Sequence, residues 1–428
     1  MRIQLDYGKD GLPIDLPDSL HIDVLNLSCP PPLPDATSAV EQSLNHPITS
    51  PPLADLAKGR RSACIVISDI TRPVPNRVIL PPMLRTLEAC GIPRDRITIL
   101  VGTGLHRPNE GDELVEMLGP EIAQRYRIVN HKARERETHA CLGQTASGAP
   151  IWVDKTYLEA DLRIATALIE PHLMAGYSGG RKAICPGICG ADTIRAFHGF
   201  SLLSHERATE GVLEGNPVHA FSLEVAKKAR VDFILNVTMD EARRVTGVFA
   251  GDLEEAHRAG VTSAREQALA LVPEPADIVV TTSAGHPLDL TFYQAVKGMT
   301  AALPIVRDGG TILIAARCAE GLGSREFQDL LFRTESADAF FEAAADPDFF
   351  TIDQWQIQEL CKVLRRAKVQ LYSEGIPEGA RGRILVDLVP SVEEGVQQAL
   401  AEYGPEARIA VIPKGPYVLP RVGEAVSA

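Results

Sequence analysis

Short apolar runs alternate with helical patterns along the first half of the chain. Runs of about four to eight apolar residues between polar ones are typical of buried strands. The alternation predicts βαβ units and a parallel or mixed sheet. The runs that predict strands span residues 62–68, 96–104, 126–130, 162–169 and 231–238, and helical patterns begin near residue 81 and cover residues 112–119 and 217–230.

The pattern is interrupted at residues 271–277, where two prolines and two acids end a long helical stretch. Such a cluster predicts a domain boundary. Strand and helix patterns then resume, and we expect an α/β fold with two α/β domains, mixed or parallel sheets, and an active-site cleft between the domains. The first domain would span 1–272 and the smaller second domain 273–405; the final strand pattern, 407–413, belongs to either, so 406–428 could join the first.

The length of the chain also favours two domains. It has 428 residues, whereas a single hydrophobic core usually organises no more than about 250–300. A content of 45% hydrophobic and 23% charged residues is that of an ordinary globular protein. The sequence contains no membrane-spanning run, and its first residues lack the order of a signal peptide, so we expect a cytoplasmic location without membrane association.

Cysteine spacing and net charge exclude several function classes. The eight cysteines are scattered and form no CxxC pair, which argues for reduced thiols and against a structural zinc site. The net charge of -13 opposes general nucleic-acid binding. A small anionic substrate would therefore need a local positive pocket.

Four polar clusters follow strand-like runs, at residues 68–73, 102–108, 170–182 and 285–297. Loops at the carboxyl end of a parallel sheet lie close together. His106 and His172 belong to two of these clusters and could act as general acid and base. Arg72 could bind a carboxylate or phosphate, or could form a surface salt bridge.

Other residues have both a chemical and a structural interpretation. Lys182 could recognise charge, anchor a ligand covalently, or be a solvated lysine at a helix start. His198 ends a helical pattern that Gly199 would cap, and it could stabilise the helix dipole or serve as a single metal ligand. Tyr293 and Lys297 share one helical face at i, i+4 spacing. That face could line a site or simply contact solvent.

These segments resemble one family, the nickel-pincer lactate racemase family of 2-hydroxyacid racemases and epimerases. The resemblance extends over essentially the whole chain. Ser68 stands where members of the family often carry a second acid. The matching segments, in the order of the family, are DITRPVP (69–75), GTGLHRP (102–108), EPHLMAGYSGGRKAICPGICG (170–190), FHG (197–199) and FYQAVKGM (292–299).

The resemblance implies a covalently held cofactor, nickel pyridinium-3-thioamide-5-thiocarboxylic acid mononucleotide. By resemblance, Lys182 would anchor it through the thioamide and His198 would be the protein's one nickel ligand, while the cofactor itself supplies sulfur, carbon and sulfur donors. The further residues implied are Asp69, Ile70, Thr71, Arg72, Tyr293 and Gln294 for the cofactor, and Arg72, Lys297, Gln294 and Trp355 for the substrate.

The family implies racemisation or epimerisation at C2 of a 2-hydroxy acid by reversible hydride transfer, with His106 and His172 as the catalytic bases. A lactate-like substrate is favoured; a sugar acid, malate or an aromatic hydroxy acid on the same machinery is the alternative. The implied partners are the enzymes that synthesise the pincer cofactor.

Two other functions are alternatives. A non-catalytic cofactor carrier would tolerate the loss of both histidines, and a lysine Schiff-base enzyme would give no role to His198.

Overall fold

The structure is a computed structural model that describes residues 1–346 and 348–423. Within these residues the strands, numbered along the chain, are β1 (Arg2–Leu5), β2 (Leu12–Asp15), β3 (His21–Val24), β4 (Ala63–Ser68), β5 (Ile97–Gly102), β6 (Arg127–Asn130), β7 (His139–Gln144), β8 (Pro150–Asp154), β9 (Leu162–Leu168), β10 (Pro171–His172), β11 (Gly176–Tyr177), β12 (Phe233–Met239), β13 (Val245–Gly251), β14 (Leu269–Val272), β15 (Ala276–Thr282), β16 (Val306–Ala315), β17 (Lys368–Tyr372), β18 (Asp387–Leu388), β19 (Arg408–Ile412) and β20 (Leu419–Val422).

The helices of the described residues are numbered in the same way. They are α1 (Ala36–Asn45), α2 (Leu53–Ala57), α3 (Asn76–Ala89), α4 (Asp112–Leu118), α5 (Pro120–Arg125), α6 (Lys155–Leu158), α7 (Ala191–Phe197), α8 (Phe200–Leu203), α9 (Pro217–Ala229), α10 (Glu255–Ala268), α11 (Phe292–Ala302), α12 (Arg325–Arg333), α13 (Ala337–Ala344), α14 (Gln354–Arg366) and α15 (Val392–Tyr403). No helix among them is both long enough and apolar enough to cross a membrane.

The chain divides into two compact units, and the first consists of Cys29–Gln267. Its central sheet has six strands in the order β13-β12-β9-β4-β5-β6. All neighbouring pairs are parallel except β12 and β13. Strands β4 and β5 carry five consecutive buried residues each, the continuous apolar pattern of a parallel sheet that is covered on both faces.

The second unit consists of Met1–Ser28 together with the chain from Ala268 onward. Its six-stranded sheet has the order β18-β17-β16-β15-β19-β3 and is parallel throughout. The edge strand β3 comes from the start of the chain and pairs with β19 near its end. Side chains of the β1–β2 hairpin, among them Leu5 and Ile14, belong to the same hydrophobic core as Ile278 and Val280.

The expected domain limits differ from this division at both ends of the chain. Residues 1–28 pack with the second unit, not with the first domain, because β3 completes the sheet at β19 and the β1–β2 hairpin fills its core. For the same reason the strand at 408–412 does not cross back to join the first domain. Residues 424–428 of the expected segment 406–428 lie outside the described residues.

The predicted strands and most of the predicted helices are confirmed at the expected places. The helix expected near residue 81 begins earlier, at Asn76, with Pro81 and Pro82 inside it. Burial of its apolar face, which includes Ile79 and Met83, outweighs the backbone hydrogen bonds that the two prolines cannot donate. The short antiparallel hairpins β1–β2 and β7–β8 were not predicted, since their strands lack a long apolar run.

We expect Leu5→Ala to destabilise the second unit. Leu5 is fully buried, and removal of a buried leucine side chain costs about 2–5 kcal/mol of unfolding free energy. In hydrogen-exchange mass spectrometry, the amides of β15 should exchange faster while those of β4 change less. Arg2→Ala, on the exposed face of the same strand, is the control. Unchanged protection of β15 would contradict the assignment of the hairpin to this core.

Candidate active site

The candidate site lies where the strand order of the first unit's sheet reverses. From β4 the chain continues to β5 and β6 on one side, whereas β9 and β12 lie on the other. In open parallel sheets this reversal leaves a crevice at the carboxyl ends of the strands, where ligands bind. Asp69 directly follows β4, and Thr103 directly follows β5, since Ser68 pairs with Gly102 at the end of both strands.

His106 is hydrogen-bonded to a buried carboxylate. Its Nδ1 lies 2.6 Å from Oδ2 of Asp69, whose side chain is 6% exposed while that of His106 is 60% exposed. Burial raises the pKa of Asp69, but the hydrogen bonds from His106 and Thr71 and the charge of Arg72 lower it more, so the net shift is downward. A carboxylate at Nδ1 accepts the proton of that nitrogen. The neutral His106 ring therefore has its lone pair at Nε2.

Arg72 forms an ion pair across the crevice. Its Nη1 contacts Oε1 of Glu170, which follows β9, so the loops after β4 and β9 are connected. The Glu170 side chain is 11% exposed and that of Arg72 31%. The predicted anion-binding group thus has an internal carboxylate partner, and its remaining guanidinium N–H groups are the ones that could bind a ligand.

His172 has the opposite hydrogen-bond pattern to His106. It lies in the two-residue strand β10, which pairs with β11 and brings His172 opposite Gly176. Its Nδ1 accepts from the backbone N–H groups of Met174 and Ala175, at 3.2 and 3.3 Å. With both donors at Nδ1, the proton of the neutral ring is at Nε2. The two candidate bases therefore start from different tautomers.

Lys182 and His198 both lie next to the ring of Phe197. The Nζ of Lys182 is 5.0 Å from the centre of this ring, and the His198 ring contacts it edge-on at 4.7 Å. Burial first, and the charge of Lys182 second, lower the pKa of His198 to about 3. Because Nδ1 of His198 contacts the carbonyl oxygen of Ile194 at 3.0 Å, the lone pair of the neutral ring is at Nε2, as metal coordination requires.

The helix that precedes His198 ends differently from the expectation. Helix α7 ends at Phe197, and Gly199 has φ -63 and ψ 142 as the first residue before helix α8, not a left-handed cap. A second helix starts immediately, so the chain has no room for a glycine-capped turn. The orientation of His198 is set by its own Nδ1 hydrogen bond instead.

The two neighbouring free cysteines of the segment 170–190 are packing residues. Cys185 and Cys189 are fully buried, and the Cys189 thiol donates to the carbonyl oxygen of Ile184 at 3.3 Å. Burial, with the hydrogen bond to Cys185 next, raises the pKa of the Cys189 thiol well above its usual value. A thiolate ligand is disfavoured at this position.

A second buried histidine, His131, was missed at the sequence level. Its Nδ1 lies 2.9 Å from Oδ2 of Asp154 and its Nε2 lies 2.9 Å from the carbonyl oxygen of Cys189. Both partners carry acceptor oxygens, so the His131 ring bridges the Asp154 carboxylate and the Cys189 carbonyl. It follows β6 directly, and this position after a strand was the signal that could have identified it. The hydrogen-bonded pair of His131 and Asp154 holds the turn that contains Gly187. The carbonyl oxygen of Gly187 accepts a hydrogen bond from the backbone N–H of Gly104, which lies two residues before His106.

The remaining predicted site residues lie in the second unit. Tyr293, Gln294 and Lys297 lie in α11, as expected. The indole N–H of Trp355, from α14, donates to the Tyr293 hydroxyl at 2.9 Å, and burial raises the pKa of Tyr293. Gln294 has a buried Oε1 with no hydrogen-bond partner. The roles expected of these residues toward cofactor and substrate stay predictions.

In the part of the chain that the structure describes, no three histidine, cysteine or acidic side chains form a group that could hold a metal ion. A metal at His198 would therefore need further donors from a bound molecule.

Several solved chains resemble this one. The lactate racemase apoprotein of Thermoanaerobacterium thermosaccharolyticum matches with a TM-score of 0.93 and 34% identity, covering 98% of this chain and 100% of that one. A protein from Thermotoga maritima matches with a TM-score of 0.70 and 19% identity, over 92% of this chain and 100% of that one. This second likeness shows the fold alone.

Sequence comparison is more specific. Residues 7–211 match the lactate racemase N-terminal domain and residues 271–419 the lactate racemase C-terminal domain. The chain belongs to the lactate racemase family. The lactate racemase of Lactiplantibacillus plantarum is 38% identical over 379 residues, 88% of this chain and 89% of that protein. That of Thermoanaerobacterium thermosaccharolyticum is 34% identical over 441 residues, covering 98% and 99%.

Membership in the lactate racemase family confirms two expectations from the sequence. The fold is α/β with parallel and mixed sheets, as in the solved apoprotein. The enzyme class is also confirmed, since both named relatives are racemases and racemases are isomerases.

We expect acid to destabilise the protein through the half-buried His219 and the buried His257. Burial first, and the charge of Arg181 second, lower the pKa of His219 to about 3 and that of His257 well below its usual value. An unfolded histidine titrates near 6.5. As the pH falls below that value, the unfolded chain takes up protons that the folded protein does not, so the unfolding free energy decreases.

Urea denaturation between pH 7 and pH 4 measures this effect. His219→Leu should lower the slope of the unfolding free energy against pH by the equivalent of about one proton, which is about 1.4 kcal/mol per pH unit. His46→Gln, at an exposed histidine, should leave it unchanged. Equal slopes of the unfolding free energy against pH for His219→Leu and the unmodified protein would contradict this role of His219.

Proposed function

We propose that this chain interconverts the enantiomers of a short 2-hydroxy carboxylic acid, with lactate as the favoured substrate. The observation that supports the proposal is the set His106, His172, Lys182 and His198, which lie in the segments after β5 and β9 in a member of the lactate racemase family. Lactate is favoured because both named relatives are lactate racemases. A pure cofactor carrier would have no use for the hydrogen-bonded pair of His106 and Asp69.

The residues present fit the nickel-pincer nucleotide that the family resemblance implies. Lys182 supplies an amine for the thioamide tether and the neutral His198 supplies one imidazole donor, both next to Phe197. The cofactor itself would supply the sulfur, carbon and sulfur donors, so His198 would be the one donor required from the protein. When bound, the nucleotide would supply a reversible hydride acceptor. Asp69–Arg72 would line its site.

Charge favours hydride transfer over deprotonation at C2. Removal of the α-proton would place a second negative charge next to the substrate carboxylate, and like charges at this distance repel. Loss of hydride from C2 and a proton from the hydroxyl leaves a neutral ketone in a 2-keto acid. Return of both to the opposite face gives the enantiomer with no net oxidation.

The protein's own residues would bind the acid and move the proton. His106 accepts the hydroxyl proton at Nε2, and the Asp69 carboxylate stabilises the imidazolium that forms. His172 holds the oxygen on the other face by a hydrogen bond from its Nε2–H. The proton that returns to the substrate oxygen comes from an imidazolium, since a neutral imidazole that lost its only N–H proton would be left as an imidazolate. The guanidinium N–H groups of Arg72 that do not contact Glu170 would hold the substrate carboxylate.

Cofactor-loaded protein should convert either enantiomer of lactate to the racemate with retention of an α-deuterium label. His106→Ala and His172→Ala should each lower the rate about 10²- to 10⁴-fold, since each removes an acid or base. His46→Gln is the control. Chiral chromatography with mass detection measures both inversion and label.

Three outcomes would contradict parts of this proposal. Exchange of the α-deuterium with solvent would exclude hydride transfer. Full activity in both histidine variants would exclude the two-histidine mechanism. Inversion of malate, an aromatic hydroxy acid or a sugar acid without inversion of lactate would reassign the substrate.

The tether predicts a mass adduct on one lysine. In protein produced together with the pincer-biosynthesis enzymes, intact-mass measurement and peptide mapping should find the cofactor on Lys182. The adduct should disappear in Lys182→Arg and persist in Lys155→Arg, a control lysine that is exposed. Loaded, active protein without an adduct at Lys182 would exclude covalent attachment there.

A further inference from the structure

Arg181 is a fully buried cation with no acidic partner among the described residues. Its side chain is 1% exposed. Burial lowers its pKa to about 9, so the guanidinium is charged at neutral pH. Burying a charge is costly unless hydrogen bonds compensate for lost water. The contacts of Arg181 therefore indicate what the charge stabilises.

Those contacts are mostly backbone carbonyls of a single loop. Nη2 donates to the carbonyl oxygens of Ala175 and Tyr177, both at 2.8 Å. Nη1 donates to those of Ser178 and Gly179, at 3.4 and 3.3 Å. It also lies 2.8 Å from Nε2 of His257, which is itself 2.9 Å from the Ser178 carbonyl oxygen. Four carbonyl dipoles that point toward one place repel each other without a cation between them.

The loop can adopt this shape because of its glycines. Gly176 has φ +76, and an added Cβ would lie 2.1 Å from the carbonyl oxygen of Val212. Gly179 has φ +80, where a Cβ would lie 2.7 Å from Ile169. The backbone thus passes close to its neighbours in a conformation that few other residues tolerate.

The same loop orients His172. Ala175 connects the two groups, because its carbonyl oxygen accepts from Arg181 while its N–H donates to Nδ1 of His172. Gly176, between two carbonyls that Arg181 binds, is the strand partner of His172. Release of the Ala175 carbonyl would loosen both the backbone and the ring of His172.

Lys182 depends on the loop as well. Its backbone N–H donates to the carbonyl oxygen of Gly179 at 3.0 Å, the same oxygen that Arg181 contacts. On the other side, Oδ1 of the buried Asn236 accepts from the N–H of Gly180 at 2.7 Å. The backbone of Lys182 is therefore held between the guanidinium and strand β12.

We propose that Arg181 is a positioning residue that holds His172 and Lys182 in one fixed loop by binding the carbonyls of residues 175 and 177–179. The proposal rests on the proposed function only for the roles of His172 and Lys182. The arrangement of the loop itself is independent of any reaction.

Hydrogen exchange of the cofactor-free protein tests the proposal directly. In Arg181→Met, peptides that cover residues 171–183 should exchange at least about tenfold faster, as local opening becomes easier, while peptides from β4 and β5 should not. Arg181→Lys keeps the charge but loses the fork that reaches several carbonyls, and should give an intermediate rise. Arg265→Met, on an exposed arginine of α10, is the matched control.

On cofactor-loaded protein, Arg181→Met should lower kcat about 10- to 100-fold with little change in KM, the effect of misplaced catalytic groups. Arg181→Lys should recover part of the loss. A variant that is merely less stable would lose active protein but keep the kcat of the folded fraction.

Unchanged exchange at residues 171–183, or an equal rise throughout the first unit, would overturn the proposal. Failure of both Arg181→Met and Arg181→Lys to fold would also overturn it, since Arg181 would then be a requirement of the whole core. If the unmodified protein lacks racemase activity but the loop loosens as expected, the proposed function fails and the positioning role remains.

Discussion

The site depends on the parallel alignment of β4, β5 and β9, whose carboxyl ends lie side by side where the strand order reverses. Because every strand in this part of the sheet runs in the same direction, the residues after each strand share one edge. Asp69, His106 and Glu170 arrive there from loops far apart in sequence. The ion pair of Arg72 with Glu170 and the hydrogen bond of His106 with Asp69 then connect those loops.

Two buried side chains hold the glycine-rich segment that carries Lys182. Arg181 binds the carbonyls of residues 175 and 177–179, and His131, paired with Asp154, contacts the carbonyl of Cys189. A glycine-rich backbone has a high conformational entropy when unfolded, so it needs such contacts to keep one shape. The Arg181 charge and the His131 hydrogen bonds serve the backbone, whereas Lys182 and Arg72 belong to the loops of the candidate site.

The three histidines of the site show how their surroundings divide their roles. His106 donates from Nδ1 to a carboxylate, His172 accepts at Nδ1 from two backbone groups, and His198 donates from Nδ1 to a backbone carbonyl. Under the proposed function, one residue type would thereby provide a base, a hydrogen-bond donor and a neutral metal ligand. None of these differences is visible in the motifs, because each depends on a partner elsewhere in the chain.

The sequence alone determined the α/β alternation, the strand ends that carry the site residues, and the family, because apolar periodicity and local motifs are properties of short segments. It did not reveal that residues 1–28 complete the second sheet, since β3 is a short edge strand whose partner, β19, lies almost 400 residues later. Nor did it distinguish Arg181 from a surface arginine, or His131 from a solvated one. Only the tertiary structure decided these points, because burial and hydrogen-bond partners arise from contacts between segments that the sequence keeps apart.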